Sequence, residues 1–332
     1  MTSDKPASGE DSLIARYFKR IATDPGAFNL DDDAAALKAL DDDIVVTTDA
    51  IVEGVHYLPN DPPDTVARKA LRVNLSDLAA KGAAPAGFVL TLALRAVDDS
   101  WLKPFAQALG EDAVLFNCPL LGGDTVSTPG PLMISITAFG RVPASKMVHR
   151  SGAKPGDRVV VTGTIGDAAL GLDILKGGAA AAALAGDAAA REMLIGRYRV
   201  PQPRTALADA VRGHAHAAVD VSDGLAGDLA KLCAVSGVSA AIDATSIPLS
   251  PAAAELVARR TVGLETLLSA GDDYEILCAV PEDRCEAFAQ AARQADVAVT
   301  SIGTVIAGTA IPSFLDPQGR DLALTRRSFS HF

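Results

Sequence analysis

The pattern of apolar and polar positions predicts a chain in which strands and helices alternate. Short apolar runs rich in β-branched residues predict strands over residues 44–49, 88–94, 132–140, 158–162 and 219–222. Longer stretches predict helices that begin at Ser12, span 64–81 and 100–116, cover the alanine-rich residues 177–190, and begin again at Gly224. Alternation of this kind favours layered α/β or α+β structure, and the long helical runs argue against an all-β sandwich.

A polar stretch rich in glycine and proline divides this pattern in two. Val142-Pro143 and residues 152–156 interrupt the apolar periodicity before the strand predicted at 158–162. With 332 residues, the chain has room for two domains and a large core. We therefore expect an N-terminal domain over residues 1–148 and a C-terminal α/β domain over residues 149–332.

The composition narrows the class of protein. Apolar residues make up 49% of the chain and charged residues 21%, which is typical of a soluble globular protein. The net charge of −11 argues against a nucleic-acid or anionic-membrane surface, because such surfaces need basic patches. The sequence predicts neither a transmembrane helix nor a signal peptide. The four cysteines show no CxxC spacing, so we expect reduced thiols, mostly buried, and a cytoplasmic location.

Acidic residues recur beside apolar runs in five places, each time with hydroxyl, amide or glycine neighbours. The five segments are Asp31-Asp32-Asp33, Thr47-Thr48-Asp49, Asn74-Leu75-Ser76-Asp77, Gly122-Gly123-Asp124-Thr125 and Asp220-Val221-Ser222-Asp223-Gly224. A single carboxylate of this kind is usually a helix cap or a solvated turn residue. Five of them together, each expected at a turn, indicate a site for several hard divalent cations, which prefer oxygen ligands.

The chemistry that suits such a site is phosphoryl transfer assisted by Mg²⁺. Carboxylates that converge repel one another unless cations lie between them. Mg²⁺ typically takes one or two protein carboxylates together with substrate phosphates. Phosphoryl transfer requires little of the protein beyond positioning and charge neutralisation. No Ser-His-Asp or Cys-His pattern is visible in the sequence, so we predict no general base.

These segments and three further ones closely resemble, in their order along nearly the whole chain, the thiamine-monophosphate kinase family. The further ones are His56, the stretch from Arg150 to Asp157, and Gly271-Asp272-Asp273-Tyr274-Glu275. The resemblance implies ATP-dependent phosphorylation of thiamine monophosphate to thiamine diphosphate, the last step of thiamine diphosphate biosynthesis. It also implies two α/β domains with the aminoimidazole-ribonucleotide-synthetase-like fold and a homodimer formed by the N-terminal domains.

The resemblance further implies roles for individual residues. The implied ligands of several Mg²⁺ ions are Asp33, Thr47, Thr48, Asp49, Asp77, Asp124, Asp220 and Asp223. The implied ATP contacts are Phe116, Gly123, Asp124, Arg150 and Ser222. The implied contacts to thiamine monophosphate are His56, Asp272 and Phe329.

Three positions depart from the pattern of the family. Asn29-Leu30-Asp31 stands where the family usually has Gly-Ile-Gly. Asp272 stands where the family has a glutamate, which is one methylene longer. Phe329 stands where the family has Tyr or Trp, so a ring face is kept and the polar handle is lost.

Two other functions fit parts of the same pattern. The first is another ATP-dependent synthetase of the superfamily, such as a selenophosphate or aminoimidazole-ribonucleotide synthetase. The second is an inactive nucleotide-binding scaffold, such as a carbamoyl-transfer partner in hydrogenase maturation. Selenophosphate synthetases carry a reactive Cys or selenocysteine near the N-terminus, whereas the first cysteine here is Cys118. The hydrogenase-maturation partner relies on a C-terminal Cys, whereas this chain ends in His331-Phe332.

Overall fold

The computed structural model describes residues 12–32, 34–324 and 328. The chain divides into two compact units. The first consists of Met1–Asn74 and Pro85–Ala144, and the second of Leu75–Ala84 and Ser145–Phe332. Both units combine helices with a β-sheet, which confirms the predicted two-domain α/β class.

The first unit is built on a four-stranded sheet. Its strands are β1 (Asp42–Val52), β2 (Ala84–Leu94), β3 (Leu120–Ser127) and β4 (Met133–Pro143). Their order is β1-β4-β2-β3, with β1 antiparallel to β4 and β2 parallel to β3. Helix α1 (Pro63–Ala80) precedes β2, and helix α2 (Asp99–Leu115) follows it. The predicted N-terminal helical segment is present as a π turn, Ile14–Phe18, followed by a 3-10 turn.

One face of this sheet forms core, and the other is exposed at β1. Alternate residues of β4, such as Ile134 and Ile136, are buried. The β1 residues Ile44 and Val46 pair with the opposite set of β4 positions and are 42% and 56% exposed. Because β1 is an edge strand, the first unit presents an apolar strand edge to its surroundings.

The second unit contains a six-stranded sheet. Its strands are β5 (Arg158–Thr162), β6 (Ala217–Asp220), β7 (Ser239–Asp243), β8 (Ile276–Val280), β9 (Val299–Ile306) and β10 (Ser313–Leu315). The order is β10-β7-β9-β5-β8-β6, and only the β10–β7 pair among the described strand pairs of this sheet is parallel.

Both faces of the six-stranded sheet are buried. Val159 and Val161 of β5 belong to one apolar core, and Val160 belongs to another on the opposite face. The helices of this unit are α3 (Asp167–Leu175), α4 (Ala179–Ala183), α5 (Ala188–Arg199), α6 (Ala208–His214), α7 (Leu225–Ser236), α8 (Pro251–Ala258), α9 (Leu264–Ser269) and α10 (Cys285–Gln294). A sheet buried on both faces explains why its strands appear in the sequence as nearly continuous apolar runs.

The structure differs from the predicted elements in three places. Strand β1 continues to Val52, so Asp49 lies inside the strand and not at its end. Gly122–Thr125, expected in a turn, lies inside β3 because two adjacent glycines hide the strand pattern. The alanine-rich stretch is two helices and not one, because Asp187 caps the second helix by accepting a hydrogen bond from the Ala190 N–H (2.9 Å).

Two expectations from composition can be compared with the described residues. Three cysteines, Cys118, Cys233 and Cys278, are buried, and the fourth, Cys285, is half-buried; all four are free thiols. Within the described ranges, no helix has the length and apolar character that crossing a membrane requires.

Candidate active site

Strand β1 carries three of the predicted metal ligands, and it directs them to both faces of the sheet. The side chains of Thr47 and Asp49 point to the same face, because they alternate with Thr48 along a regular strand. Thr48 pairs with Thr137, and its hydroxyl accepts a hydrogen bond from the Thr137 hydroxyl (3.0 Å). The side chains of Thr47 and Asp49 can therefore bind the same metal ion. Thr48 would bind such an ion through its main-chain carbonyl.

The main chain at Asp49 is held by Asn74 of helix α1. Asn74 is 0% exposed, and its side-chain oxygen accepts the Asp49 N–H (3.1 Å). The amide nitrogen of Asn74 donates to the Ala70 carbonyl (3.1 Å). Asn74 thus ties strand β1 to helix α1. The sequence motif includes this residue, but its role as an anchor for Asp49 is visible only in the structure.

His56 lies in the turn that follows β1, and its ring orientation is fixed by the main chain. Its Nδ1 accepts the main-chain N–H of Val52 (3.0 Å), and the main-chain N–H of His56 donates to the Val52 carbonyl (2.9 Å). A neutral imidazole that accepts at Nδ1 carries its proton on Nε2. The side chain therefore presents an N–H donor, which suits an oxygen atom of a substrate.

Gly123 and Asp124 lie on β3 beside a cavity of about 390 Å³. The residues that line this cavity include Ile14, Phe18, Leu30, Asp32 and the stretch 120–125. A Cβ atom on Gly123 would lie 1.9 Å from the carbonyl oxygen of Leu90, so only glycine lets β3 approach β2 this closely. A cavity of this size, with both apolar and acidic groups in its lining, is large enough for a small molecule.

The two edges of the four-stranded sheet hold different parts of the predicted site. Asp49 lies on the edge strand β1 and Asp124 on the other edge strand β3. Two strands lie between them, so the two positions are on the order of 14 Å apart across the sheet. The sheet of the first unit therefore does not bring these two carboxylates to one ion.

Phe116 follows helix α2 and has one ring face covered. The guanidinium of Arg72 lies over this ring, 5.1 Å from its centroid. Arg72 is itself fixed by a bidentate ion pair with the buried Asp112, with N–O distances of 2.6 and 2.9 Å. The guanidinium of Arg72 therefore occupies one face of the ring that was predicted to contact ATP.

In the second unit, Asp77 and Asp220 form an acidic pair. Asp220, at the end of β6, is 5% exposed and accepts a hydrogen bond from the Ser76 hydroxyl (2.9 Å). Burial, followed by the charges of Asp77 and Asp228, raises the pKa of Asp220 well above its ordinary range. Asp77 is half-buried, whereas every other residue in the stretch 69–80 is buried. A cation between Asp77 and Asp220 would favour the charged form of Asp220.

Asp228 shapes the turn that carries Ser222 and Asp223. Its carboxylate accepts the N–H of Ser222 (3.1 Å) and of Asp223 (2.9 Å). The ammonium group of Lys231 donates to Asp228 (2.9 Å) and to Asp223. Because these two main-chain donors are already used, the groups of the turn that suit the predicted roles are the Ser222 hydroxyl, for a nucleotide, and the Asp223 carboxylate, for a metal ion. The sequence signal for Asp228 was its position in the first turn of α7.

Arg150 is exposed. The two residues before it are hydrogen-bonded to strand β6 and to the residue that follows helix α1. The Val148 N–H donates to the Lys81 carbonyl (3.1 Å), and the Ala218 N–H donates to the His149 carbonyl (3.0 Å). Burial lowers the pKa of Lys81, and the charge of Arg150 lowers it further. The guanidinium of Arg150 thus adds positive charge near Lys81.

Asp272 lies in a loop that is hydrogen-bonded to the Ser222 turn. The Asp272 N–H donates to the Ser222 carbonyl (2.9 Å), and the Tyr274 N–H donates to the Val221 carbonyl (2.8 Å). A Cβ atom on Gly271 would lie 2.3 Å from the Ser222 carbonyl oxygen, so the loop needs glycine there. The structure therefore brings a predicted ATP contact and a predicted acceptor contact together.

Two of the predicted site residues, Asp33 and Phe329, lie outside the described residues. Within the described part of the chain, no group of three or more His, Cys, Asp or Glu side chains is arranged to hold a metal ion. The pair formed by Asp77 and Asp220 nevertheless fits Mg²⁺, since this ion commonly takes one or two protein carboxylates and completes its shell with water and phosphate.

Comparison with known proteins identifies the family of this chain. Residues 31–142 match the family model of the AIR synthase related protein, N-terminal domain, and residues 154–314 match that of its C-terminal domain. The thiamine-monophosphate kinase of Caulobacter vibrioides is 44% identical over 324 residues, which is 96% of this chain and 89% of that protein.

Solved structures give the same result. The crystal structure of thiamine-monophosphate kinase from Stenotrophomonas maltophilia K279a matches with a TM-score of 0.79 and 37% identity, covering 88% of this chain and 91% of that one. AaThiL complexed with AMPPCP and TMP matches with a TM-score of 0.76 and 28% identity, covering 91% of each chain. The chain therefore belongs to the AIR synthase related protein family and, within it, to the thiamine-monophosphate kinases.

Proposed function

We propose that this protein transfers the γ-phosphoryl group of ATP to thiamine monophosphate, giving ADP and thiamine diphosphate, the last step of thiamine diphosphate biosynthesis. The observation that carries this proposal is the near-full-length similarity to thiamine-monophosphate kinases, one of which was crystallised with AMPPCP and TMP. ATP is accordingly a co-substrate and not a bound cofactor. The two-unit α/β fold fits the same family.

The acceptor needs no general base. The attacking oxygen belongs to a phosphate whose second ionisation lies near pH 6, so it is largely deprotonated at neutral pH. The bond from this oxygen to the γ-phosphorus forms as the bond to the β–γ bridging oxygen breaks, and ADP leaves with that electron pair. The residues of the site have to position the two substrates, and to do so in spite of the repulsion between two anions.

We propose that several Mg²⁺ ions bind here. The ligands that we propose are Asp33, Thr47, Thr48, Asp49, Asp77, Asp124, Asp220 and Asp223. Bound Mg²⁺ would neutralise the phosphates of both substrates. The support from the structure is the pair formed by Asp77 and the buried Asp220, in which the charge of Asp77 disfavours ionisation of Asp220, and the shared orientation of Thr47 and Asp49.

Contacts to the two substrates are proposed on the same basis. We assign ATP binding to Phe116, Gly123, Asp124, Arg150 and Ser222, and acceptor binding to His56, Asp272 and Phe329. The supporting observations are the cavity beside β3, the N–H donor of His56, and the hydrogen bond between the Asp272 loop and the Ser222 turn. A domain boundary after residue 148 and a cytoplasmic location stay predictions from the sequence.

We further propose a homodimer formed through the first unit. The apolar β1 residues Ile44 and Val46 are exposed on an edge strand, and a second copy of the chain would bury them.

The metal requirement tests the proposed function. Activity should be lost in a chelator and return with added Mg²⁺.

Substitution of the proposed ligands tests the same function. Asp49→Asn and Asp77→Asn should reduce turnover by more than the roughly 10–100-fold that is typical when a residue hydrogen-bonded to a metal ligand is changed. Both variants should fold, because the change removes carboxylate repulsion. Asp64→Asn, on the same helix as Asp77, is the control. Full activity in metal-free buffer, or unchanged turnover in both variants, would refute the assignment.

A further inference from the structure

The loop that carries Asp272 has an unfavourable main-chain conformation. Asp272 has a φ of 73° and Tyr274 a φ of 50°, so two residues other than glycine occupy the left-handed region within three positions. Conformations of this kind persist only where contacts with the surrounding structure enforce them.

Glu275, at the end of this loop, is a buried hub of four charge-assisted hydrogen bonds. Its carboxylate is 0% exposed. Arg204 binds both oxygens, through Nε (2.7 Å) and Nη2 (2.5 Å), and Arg197 donates to one oxygen (2.7 Å). The Thr162 hydroxyl donates to the other oxygen (2.6 Å) and accepts the Ile276 N–H (2.8 Å). Hydrogen bonds to an ionised partner are the stronger kind, so this group fixes the end of the loop.

The middle of the loop is fixed by the same cluster. Arg197, besides binding Glu275, donates to the Asp273 carbonyl (3.2 Å). The buried carboxylate of Asp273 accepts the N–H of Gly166 with both oxygens (2.8 and 3.0 Å). The loop is therefore anchored on the side that faces the interior of the second unit.

The loop is also hydrogen-bonded to the turn that carries Ser222, a residue of the proposed site. The N–H groups of Asp272 and Tyr274 donate to the Ser222 and Val221 carbonyls, and the Val221 N–H donates to the Glu275 carbonyl (2.8 Å). A rotation of the main chain at Glu275 would therefore also change the position of Asp272. Glu275 itself has no exposed surface from which to contact a substrate.

We propose that Glu275 is a positioning residue for the acceptor: its carboxylate, held by Arg197, Arg204 and Thr162, fixes the main chain of residues 272–274 so that Asp272 meets thiamine monophosphate. This inference rests on the proposed function. It assigns to Glu275 a role in acceptor affinity beyond its contribution to the stability of the fold.

Thr162 gives the sharpest test, because it touches Glu275 and not the loop residues 272–274. Thr162→Val keeps the shape of the side chain and removes the hydroxyl, whereas Thr162→Ser keeps the hydroxyl. Glu275→Gln is the direct variant. Ser250→Ala is the stability control, since it removes another buried hydroxyl that donates to a buried carboxylate, that of Asp167 (2.6 Å).

The first measurement is amide hydrogen exchange in the substrate-free protein, which does not depend on activity. We expect Thr162→Val and Glu275→Gln to speed exchange of the Asp272 and Tyr274 amides by at least about tenfold, the size of one lost hydrogen bond to a charged group. Thr162→Ser and Ser250→Ala should leave these two amides as in the wild-type protein. Unchanged exchange in Thr162→Val would overturn the anchoring role.

The second measurement is steady-state kinetics with both substrates varied. We expect KM for thiamine monophosphate to rise at least about fivefold in Thr162→Val and Glu275→Gln, and KM for ATP to change less than about twofold. Equal changes in both KM values, or faster exchange with an unchanged acceptor KM, would overturn the acceptor role. A wild-type protein that makes no thiamine diphosphate would count against the proposed function, while the exchange data would still decide whether Glu275 anchors the loop.

Discussion

Asp273 and Glu275 lie two residues apart and are both buried, yet their surroundings differ. Glu275 is neutralised by two arginines, whereas the carboxylate of Asp273 accepts a main-chain N–H. Burial raises the pKa of Asp273 well above its ordinary value, and the charges of Asp167 and Glu275 raise it further, against the opposing effect of Gly166 and Arg197. The ionisation of Asp273 should therefore occur above the ordinary pH range of an aspartate.

The raised pKa of Asp273 predicts a pH-dependent effect of Asp273→Asn. The folded protein binds this proton more tightly than the unfolded chain does. The contribution of Asp273 to stability is therefore fully present below the unfolded value of about 3.9 and is lost as pH rises through the folded pKa. The asparagine side chain of the variant cannot titrate. The free energy of unfolding of the variant minus that of the wild type should therefore rise between about pH 4 and neutrality, by about 1.4 kcal/mol for each unit by which folding raises the pKa of Asp273.

Urea unfolding at a series of pH values measures this difference. Asp209→Asn, which changes an exposed aspartate of the same unit, is the control. A pH-independent difference between Asp273→Asn and wild type would contradict the account of this carboxylate.

The sequence indicates which residue types make up the proposed site, but it does not indicate which partners hold them. The family resemblance assigned the carboxylates Asp77, Asp220 and Asp223, and the structure places the first two close together. The anchor that Asn74 provides for Asp49 was not predicted, since it joins positions 25 residues apart whose contact depends on the packing of α1 on β1. The same holds for Asp228, which in the sequence is one acidic residue at a helix start.

At the scale of elements, strand β3 shows where pattern reading fails. A strand is recognised from its side chains, and β3 contains Gly122 and Gly123 at its centre. The same glycines allow the strand to form, because Gly123 approaches the main chain of β2 more closely than any side chain permits. The feature that hides the strand in the sequence is therefore a requirement of its structure.

The two glycines of β3 provide a matched pair of substitutions. A Cβ at Gly123 would lie 1.9 Å from the Leu90 carbonyl oxygen, whereas a Cβ at Gly122 would have no atom within 4 Å. Gly123→Ala should therefore lower the free energy of unfolding by about 1–3 kcal/mol, as overpacking does. Gly122→Ala should change it by less than about 0.5 kcal/mol. Urea unfolding measures both, and equal effects of the two substitutions would contradict the described packing of β3 on β2.

The loop before Asp31 shows a sequence departure with a physical meaning. Phe28, Asn29 and Leu30 have φ values of 48°, 58° and 53°, in the left-handed region that glycine occupies at the lowest cost. The family usually has glycine at the position of Asn29, and asparagine is among the residues that tolerate this conformation best. Asn29 thus adopts the left-handed conformation at a higher conformational cost than glycine would.

At the scale of the whole molecule, the order of strands and helices was enough to predict the α/β class, and the resemblance was enough to predict the family. The strand order within each sheet could not be predicted from the sequence. In the first unit, β1 pairs with β4 across 80 residues of intervening chain that hold two helices and two strands. Such pairings follow from packing that no local pattern records.

The proposed homodimer predicts the mass in solution and the effect of a charge on β1. Size-exclusion chromatography with light scattering should give twice the chain mass of 34.1 kDa. Val46→Glu places a carboxylate on the exposed face of β1 and should shift the protein toward monomer, because burying an unpaired charge is costly. Val97→Glu, at a position that is 60% exposed in the same unit, is the control. A monomeric wild-type protein at micromolar concentration would contradict the proposal.

The central claim is that the acceptor is a phosphate that is already ionised and that no residue acts as a base. Free thiamine offers only a hydroxyl, which would need a base, and it carries no anion for bound Mg²⁺ to hold. The direct test compares initial rates of phosphorylation of thiamine monophosphate and of thiamine at equal concentrations, with the same ATP and Mg²⁺. We predict rapid formation of thiamine diphosphate from thiamine monophosphate and essentially no phosphorylation of thiamine; comparable rates with the two acceptors would contradict the account.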